Sequence, residues 1–480
     1  MKVMLINPPI RRMISANVPV FVEKERGTYP PLGLLYIAAY LREHGPEGTQ
    51  VQVLDTVLLG LTDTQIEEHI RQESPDVVGI QTITFTLLDA VRVVQMCKRV
   101  NPAIVTVLGG RHCDLYPKET LGQPGVDFVV TGEGEVTMTR LVEHLSDLNR
   151  LKSVPGLTFR DGDHVVHNAC TVIENLDDLP FPARELTPYG DYRFLLAKGA
   201  VFTTLITSRG CPYGCSFCDE GHKKFRALSA QRVVAEILDC RNRLGIRQFF
   251  IYDSTFTADR ERVLQICRLL QDCQADISFD IRSRIDLMDD EMLRALKGAG
   301  CIRIQYGVES GNDCILAAIG KNITVAEVRD IVHRTRGHGF EILCDFMIGL
   351  PGETAREVED TVRLALELPI NYAQFAITTP YPGTKLYEYG IEKGLFDDYW
   401  REFSREPSAD FQPHLWEEYF DRRQLTELMM QAYERFYFRP AYIFQELRHL
   451  SSFSEACLKI KAGLHLALRS VLGRAGKTSI

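Results

Sequence analysis

Arg209-Gly210-Cys211-Pro212-Tyr213-Gly214-Cys215-Ser216-Phe217-Cys218 is the stretch on which the reading of this chain turns. It follows the extended run Phe202-Thr203-Thr204-Leu205-Ile206-Thr207 and precedes a helical pattern that starts near Ser229. Three cysteines, at spacings of four and three, therefore stand in one loop at the end of an expected strand, punctuated by glycine and proline. A closed-off iron–sulfur cluster takes four thiolates. Three local thiolates with no fourth beside them predict a cluster with one iron open to a substrate or cofactor. A structural zinc ion completed by Asp219 or His222 is the rival reading of the same residues.

The triad resembles the signature of the radical S-adenosylmethionine superfamily, Cys-x3-Cys-x-aromatic-Cys, with Phe217 as the aromatic residue. The resemblance implies a [4Fe–4S] cluster on Cys211, Cys215 and Cys218, whose open iron chelates the amino and carboxylate groups of S-adenosylmethionine. An electron donor such as a flavodoxin or ferredoxin would reduce it, and cleavage of the sulfonium would give a 5'-deoxyadenosyl radical.

From about residue 199 onward, apolar strand runs alternate with helical patterns. Strands are expected at 203–207, 248–252, 276–281, 302–306, 341–348 and 373–378. Such a unit places its chemistry at the carboxyl ends of the strands. Asp253 follows the second of them, as a partner for an ammonium, as a backbone acceptor or, with Ser254, as a helix cap. Asp280 and Arg282 end the third, as an internal ion pair or a cofactor contact. Gly307, Glu309 and Ser310 end the fourth, offering close approach, a carboxylate and a hydroxyl suited to a ribose diol. Gly349 and Pro351 end the fifth, ahead of Thr354 as a helix cap with Glu357 in capping-box position. These segments resemble the superfamily's six-stranded partial (β/α)6 barrel over about 200–385. The resemblance assigns S-adenosylmethionine contacts to Asp253, Asp280, Gly307, Glu309, Ser310, Gly349 and Pro351, beside Phe217.

The first half reads as a doubly wound parallel sheet, because its strands are apolar runs rather than alternating ones. Asn7, Thr82, Thr84, Gly109, Gly110, Gly132 and Glu133 gather at the carboxyl ends of those strands, where ligands of such sheets bind. No Gly-x-Gly-x-x-Gly follows the first strand, which argues against a dinucleotide. Asn-Pro-Pro at 7–9, Pro-Pro-Leu-Gly at 30–33, Gly-Gly at 109–110 and Gly-Glu-Gly-Glu at 132–135 resemble the cobalamin-binding domain that precedes many radical S-adenosylmethionine domains. The Asp-x-His-x-x-Gly segment that supplies an axial histidine elsewhere is absent. Cobalamin bound without a histidine on cobalt is therefore implied, the lower face being open or crowded by Arg111 or a neighbour.

The 480 residues carry a formal net charge of −9, which argues against a nucleic-acid backbone as the main partner. Thirteen cysteines without a leader pattern predict a reducing cytoplasm, with a peripheral membrane position if the substrate is a lipid. No apolar run reaches the length of a membrane span. The expected organisation is a cobalamin-binding Rossmann-like domain at 1–148, a linker at 149–198, the barrel at 199–387 and a helical C-terminal region at 388–480. Tyr189 and Tyr192 are candidate substrate contacts in the linker. In the C-terminal region, helices are expected at 425–438, 441–449 and 453–472, and its aromatic residues pack on the barrel or wall an apolar substrate. The combined resemblance implies an enzyme that methylates a carbon of a small hydrophobic molecule, such as an isoprenoid lipid or tetrapyrrole, through a substrate radical and methylcobalamin. Cyclisation or rearrangement with the same cofactors is the alternative, and a non-catalytic carrier a third.

Overall fold

The apolar runs of the first half become the parallel strands β1 (Lys2–Asn7), β2 (Gln50–Asp55), β3 (Val77–Gln81), β4 (Val105–Gly109) and β5 (Phe128–Val130) of a computed structural model. It describes residues 1–14, 27–197, 199–221, 223–440 and 442–443. Successive side chains of a strand point to opposite faces, and β1 shows the result. Val3 and Leu5 pack with Leu34, Ala38, Met138 and Leu141, whereas Met4 and Ile6 pack with Ile66, Ile70, Ala90 and Val94. Both faces are thereby buried under helices. The strand order is β2-β1-β3-β4-β5, so the chain reverses direction across the sheet between β1 and β3, the place where ligands of such sheets bind.

The stretch read as a linker is partly sheet. Leu157–Asp161 (β6) pairs antiparallel with β5, and His164–His167 (β7) pairs antiparallel with β6, extending the sheet to seven strands. Tyr192 is a correction as well. It is 1% exposed and its hydroxyl donates to Asp55 Oδ2 at 2.9 Å, which makes it a structural tyrosine rather than a substrate contact.

The second unit holds Arg193–Leu395 and the chain beyond His414. Its main sheet is built from β8 (Phe202–Leu205), β11 (Gln248–Ile251), β12 (Ser278–Ser283), β13 (Cys301–Glu309), β14 (Glu341–Ile348) and β15 (Tyr372–Ile377), all parallel and adjacent in sequence order. The intervening Ser208–Arg209 (β9) and Arg226–Ala227 (β10) form a separate two-stranded ladder. β8 and β15 are the free edges of the six-stranded sheet, so it is an open partial barrel. β15 is blunted by side chains: Tyr433 bonds the backbone N and O of Phe375, and Tyr437 those of Ala373.

The helix expected near the C-terminus is Arg422–Tyr437. Residues 396–413 depart from the expected C-terminal region and pack within the first unit. Trp400 is fully buried there, near Phe85, Phe403 and Phe411. Gln123 donates to the carbonyls of Ser404 and Arg405 at 2.9 and 3.1 Å, and Arg401 pairs with Glu119 at 2.7 Å. Phe396, Tyr399, Trp400 and Phe403 form an apolar ridge that this unit buries. The helix expected at 453–472, and all but Tyr442 and Ile443 of the one expected at 441–449, lie outside the described residues. Among the described residues no helix is long and apolar enough to cross a membrane.

Candidate active site

The cysteine loop is pinned at its stem. Antiparallel pairing of β9 with β10 brings Ser208 opposite Ala227 and Arg209 opposite Arg226, closing the loop between them. Asp253, which follows β11, is buried beneath this stem and accepts from Thr207 N and Oγ1 at 2.6 Å and from Ser208 Oγ at 2.7 Å. Arg262 adds bonds to the carbonyls of Thr207 and Leu228 at 2.8 and 2.7 Å. Of the alternatives for Asp253, the structure realises the backbone acceptor; the cap of the next helix is Asp259. Midway along the loop, Ser216 N donates to Ile319 O and Ser216 O accepts from Leu386 N, both at 2.9 Å. Phe217 packs against the cluster of Ile315, Ile319 and Leu350.

Cys211 is buried, while Cys215 and Cys218 are half-buried. Burial pushes the thiols of Cys215 and Cys218 up; Cys211 adds to the rise at both, and Cys215 adds to it at Cys218. Lys321 and Arg284 pull Cys215 back toward the thiolate. No three His, Cys, Asp or Glu side chains among the described residues converge as they would on a single ion. A zinc ion draws each thiolate to about 2.3 Å of one centre, whereas a cluster gives each cysteine its own iron. The donor set, three soft sulfurs beside two cations, fits a cluster held by Cys211, Cys215 and Cys218. His222, the other zinc candidate, lies outside the described residues.

The barrel's inner face is legible from alternation. Tyr306 reaches a helix through Thr335, and Phe346 stacks on Phe375, which meets Tyr433 of the helix Arg422–Tyr437. Gln305, Gly307, Leu343, Asp345 and Met347 therefore face the other way, and all are half-buried. Glu309 pairs with Lys321 Nζ at 2.8 Å, both buried, and this pair crosses directly over Gly307. A Cβ at Gly307 would lie 2.4 Å from Glu309 Oε1 and 2.8 Å from Lys321 Nζ. The space beside Gly307 is taken by the ends of these two side chains. Glu309 adopts φ +71° to make it, at a bulge in the β13–β14 pairing.

Two of the expected residues have partners within the protein. Ser310 is fully buried and its hydroxyl is engaged with Thr361 Oγ1 at 3.2 Å and Asn312 N at 3.3 Å. Asp280 pairs with Arg303 at 2.5 Å, not with Arg282; Arg303 is held on its other side by Glu341 at 2.6 Å. At the end of β14 the capping box of Thr354 and Glu357 is present as expected. The amides of Gly349 and Leu350 donate to Glu353, at 2.6 and 3.1 Å, and Pro351 is half-exposed at the turn. Burial lifts the Glu353 carboxyl to about 7.

Asp345 is the acidic group that sequence reasoning missed. Its Oδ2 accepts from Gln305 at 2.7 Å, and Arg282, stacked 4.3 Å from the centre of the Tyr252 ring, holds Gln305 in turn at 3.4 Å. Its Oδ1 has no hydrogen-bond partner among the described residues. Burial, with the Glu309 carboxylate nearby, pushes Asp345 up to about 6. An acidic residue at a half-buried position of an otherwise apolar strand was the available signal.

In the first unit the expected residues do stand at the carboxyl ends of β1, β3, β4 and β5. Asn7 Nδ2 donates to Asp55 at 2.9 Å, so its amide braces two strand ends. Gly110 has φ +120°, and a Cβ there would lie 2.8 Å from Thr82 O; glycine lets the turns after β3 and β4 touch. Thr82 is fully buried, Thr84 bonds His112 Nδ1 at 3.2 Å, and Arg111 pairs with Asp114 at 3.4 Å. Asp114 also accepts from Gly132 N at 2.7 Å, while Glu133 accepts from Ile173 N at 2.6 Å. His112 is sealed, and burial lowers its pKa to about 3. The space beside Gly132 is likewise taken by the protein: a Cβ there would lie 3.3 Å from Cys170 Cβ.

Family models match in the same two places: the B12 binding domain over residues 18–142 and the radical SAM superfamily over 205–365. An uncharacterized methyltransferase of Pyrococcus horikoshii is 34% identical over 453 residues, covering 93% of this chain and 95% of that protein. The anaerobic magnesium-protoporphyrin IX monomethyl ester cyclase of Rubrivivax gelatinosus is 29% identical over 467 residues, 94% of this chain and 82% of that protein. The cobalamin-dependent S-adenosylmethionine radical enzyme OxsB, solved with aqua-cobalamin and S-adenosylmethionine, shares the fold with a TM-score of 0.72 and 18% identity, over 97% of this chain and 72% of that one. With its two domains, its cysteine loop and a full-length relative all in agreement, the chain belongs to the cobalamin-dependent radical S-adenosylmethionine enzymes, which use a [4Fe–4S] cluster, S-adenosylmethionine and cobalamin to act on small molecules.

Proposed function

We propose that this enzyme is a C-methyltransferase for a small molecule. The observation that carries the reading is the end-to-end similarity to the Pyrococcus horikoshii methyltransferase. The bound cofactors supply radical formation at a substrate carbon and a methyl group to replace the hydrogen removed. The chain's part is to bind and orient. Leu343 and Met347 give the inner face of β14 an apolar surface, and Asp345 stands between them with Oδ1 buried and without a hydrogen-bond partner among the described residues. A substrate seated against this face has apolar bulk. Tetrapyrroles and functionalised isoprenoid lipids both have this character.

The test is an anaerobic assay with S-adenosylmethionine labelled in its methyl group, offered candidate tetrapyrroles, isoprenoid lipids and cell extracts. The expected product is heavier by one methylene unit and carries the label. S-adenosylhomocysteine and 5'-deoxyadenosine should form in about equal amounts, because one molecule gives the methyl group and another the radical. The similarity to the Rubrivivax cyclase favours a second reading, ring closure without methyl transfer. A rearranged or cyclised product without label, and without S-adenosylhomocysteine, would select it.

Cobalamin is held with no protein imidazole on cobalt in this reading, since His112 is sealed under the sheet and occupied by Thr84. Electron paramagnetic resonance of the cob(II)alamin enzyme should show no superhyperfine splitting from an axial nitrogen. Splitting that disappears in His112→Ala would overturn this assignment.

A further inference from the structure

Arg284, just beyond β12, is buried and has all but one of its donor nitrogens committed to protein oxygens. Nε and Nη2 fork onto the two oxygens of Asp286 at 2.9 and 3.0 Å, and Nη2 also donates to Lys321 O at 2.7 Å. The guanidinium lies over the Tyr213 ring, 4.2 Å from its centre. Nη1 is left, and its one partner among the described residues is the sulfur of Cys215 at 3.8 Å. The two residues are 69 apart in sequence. The other cation nearby, Lys321, has its charge matched by Glu309 at 2.8 Å.

We propose that Arg284 is a positioning residue that sets the reduction potential of the cluster, by donating a charge-assisted hydrogen bond from Nη1 to the Cys215 thiolate. One electron passes from a donor of the flavodoxin or ferredoxin class, which is oxidised, to the cluster, which is reduced. No proton or bond changes hands. The added negative charge spreads onto the cysteine sulfurs, so a cation bonded to one of them stabilises the reduced form more than the oxidised one. The half-buried loop screens that effect less than water would. A guanidinium stays charged at any working pH, and the fork to Asp286 with the Tyr213 ring beneath holds its plane in place. This role is independent of whether the product is methylated or cyclised.

A competing role for the same side chain is to clamp the carboxylate of S-adenosylmethionine. Anaerobically reconstituted full-length enzyme separates the two. Redox titration of the cluster followed by electron paramagnetic resonance, without S-adenosylmethionine, reads the potential; equilibrium dialysis of S-adenosylmethionine against the oxidised enzyme reads the clamp. In Arg284→Gln the reduced-to-oxidised ratio at a fixed poise should fall about tenfold, a midpoint about 59 mV more negative for one electron. Affinity for S-adenosylmethionine should stay within about twofold, the scale of ordinary mutational noise. Asp286→Asn removes the anion that balances the guanidinium and should move the midpoint the other way. Opposite shifts in two variants that both disturb the same loop are not what loosened packing produces. An unchanged potential in Arg284→Gln with its iron content intact would overturn the proposal. So would shifts of the same sign in both variants, or a tenfold loss of S-adenosylmethionine affinity with the potential unmoved.

Discussion

Replacing Cys211, Cys215 and Cys218 together with alanine is expected to abolish the cluster and, with it, all reductive cleavage of S-adenosylmethionine. Iron should fall from about four per chain to background after reconstitution, and the visible absorption should go with it. The loss should be chemical rather than structural. The loop is held without its sulfurs: the β9–β10 ladder closes its stem, Ser216 bonds to Ile319 and Leu386, and Phe217 fills an apolar pocket. The triple variant should therefore keep its circular dichroism spectrum and its cobalamin. Retention of about four irons and of cleavage would place the cluster elsewhere.

The second large effect lies in the first unit. Trp400→Ala is expected to destabilise the first unit by about 3–5 kcal/mol, the usual cost of deleting a buried large aromatic side chain. That is a large part of the roughly 5–15 kcal/mol that holds a domain together. The indole is fully buried among Phe85, Tyr399, Phe403 and Phe411, so no small shift refills the space. Cobalamin should be lost on desalting and the first thermal transition should fall, while the cysteine loop still takes up iron. Full cobalamin retention with an unchanged transition would show that residues 396–413 lie on the unit without supporting it.

The two sheets were legible because parallel strands buried on both sides leave unbroken apolar runs, and the helices between them announce their caps. Thr354 with Glu357 is such a signal, and the structure forms it as read. The cysteine loop was legible because all its donors are close in sequence. What escaped are partnerships across long separations: Arg284 with Cys215, Asp280 with Arg303, Gln305 with Asp345. Each depends on which strand lies beside which, and on which side of the strand a residue falls. Local pattern leaves both open. The protein partners of Ser310 and Glu309 escaped for a related reason. Their motif marks a ligand-binding strand end, but Thr361 and Lys321, which occupy them, are supplied by later segments. The aromatic residues near Trp400 could be read as an apolar surface; their burial in the N-terminal unit could not.

That last arrangement sets an order on synthesis. Phe396–Pro413 reaches the ribosome exit roughly 200 residues after Tyr192, so the first unit is translated long before the piece that seals it. At about 5–20 residues per second the delay is on the order of 10–40 s. During that interval the groove meant for Trp400 is exposed to whatever else is present, while the whole barrel sequence emerges behind it. The nascent N-terminal unit is therefore expected to hold cobalamin only once Phe396–Pro413 has emerged.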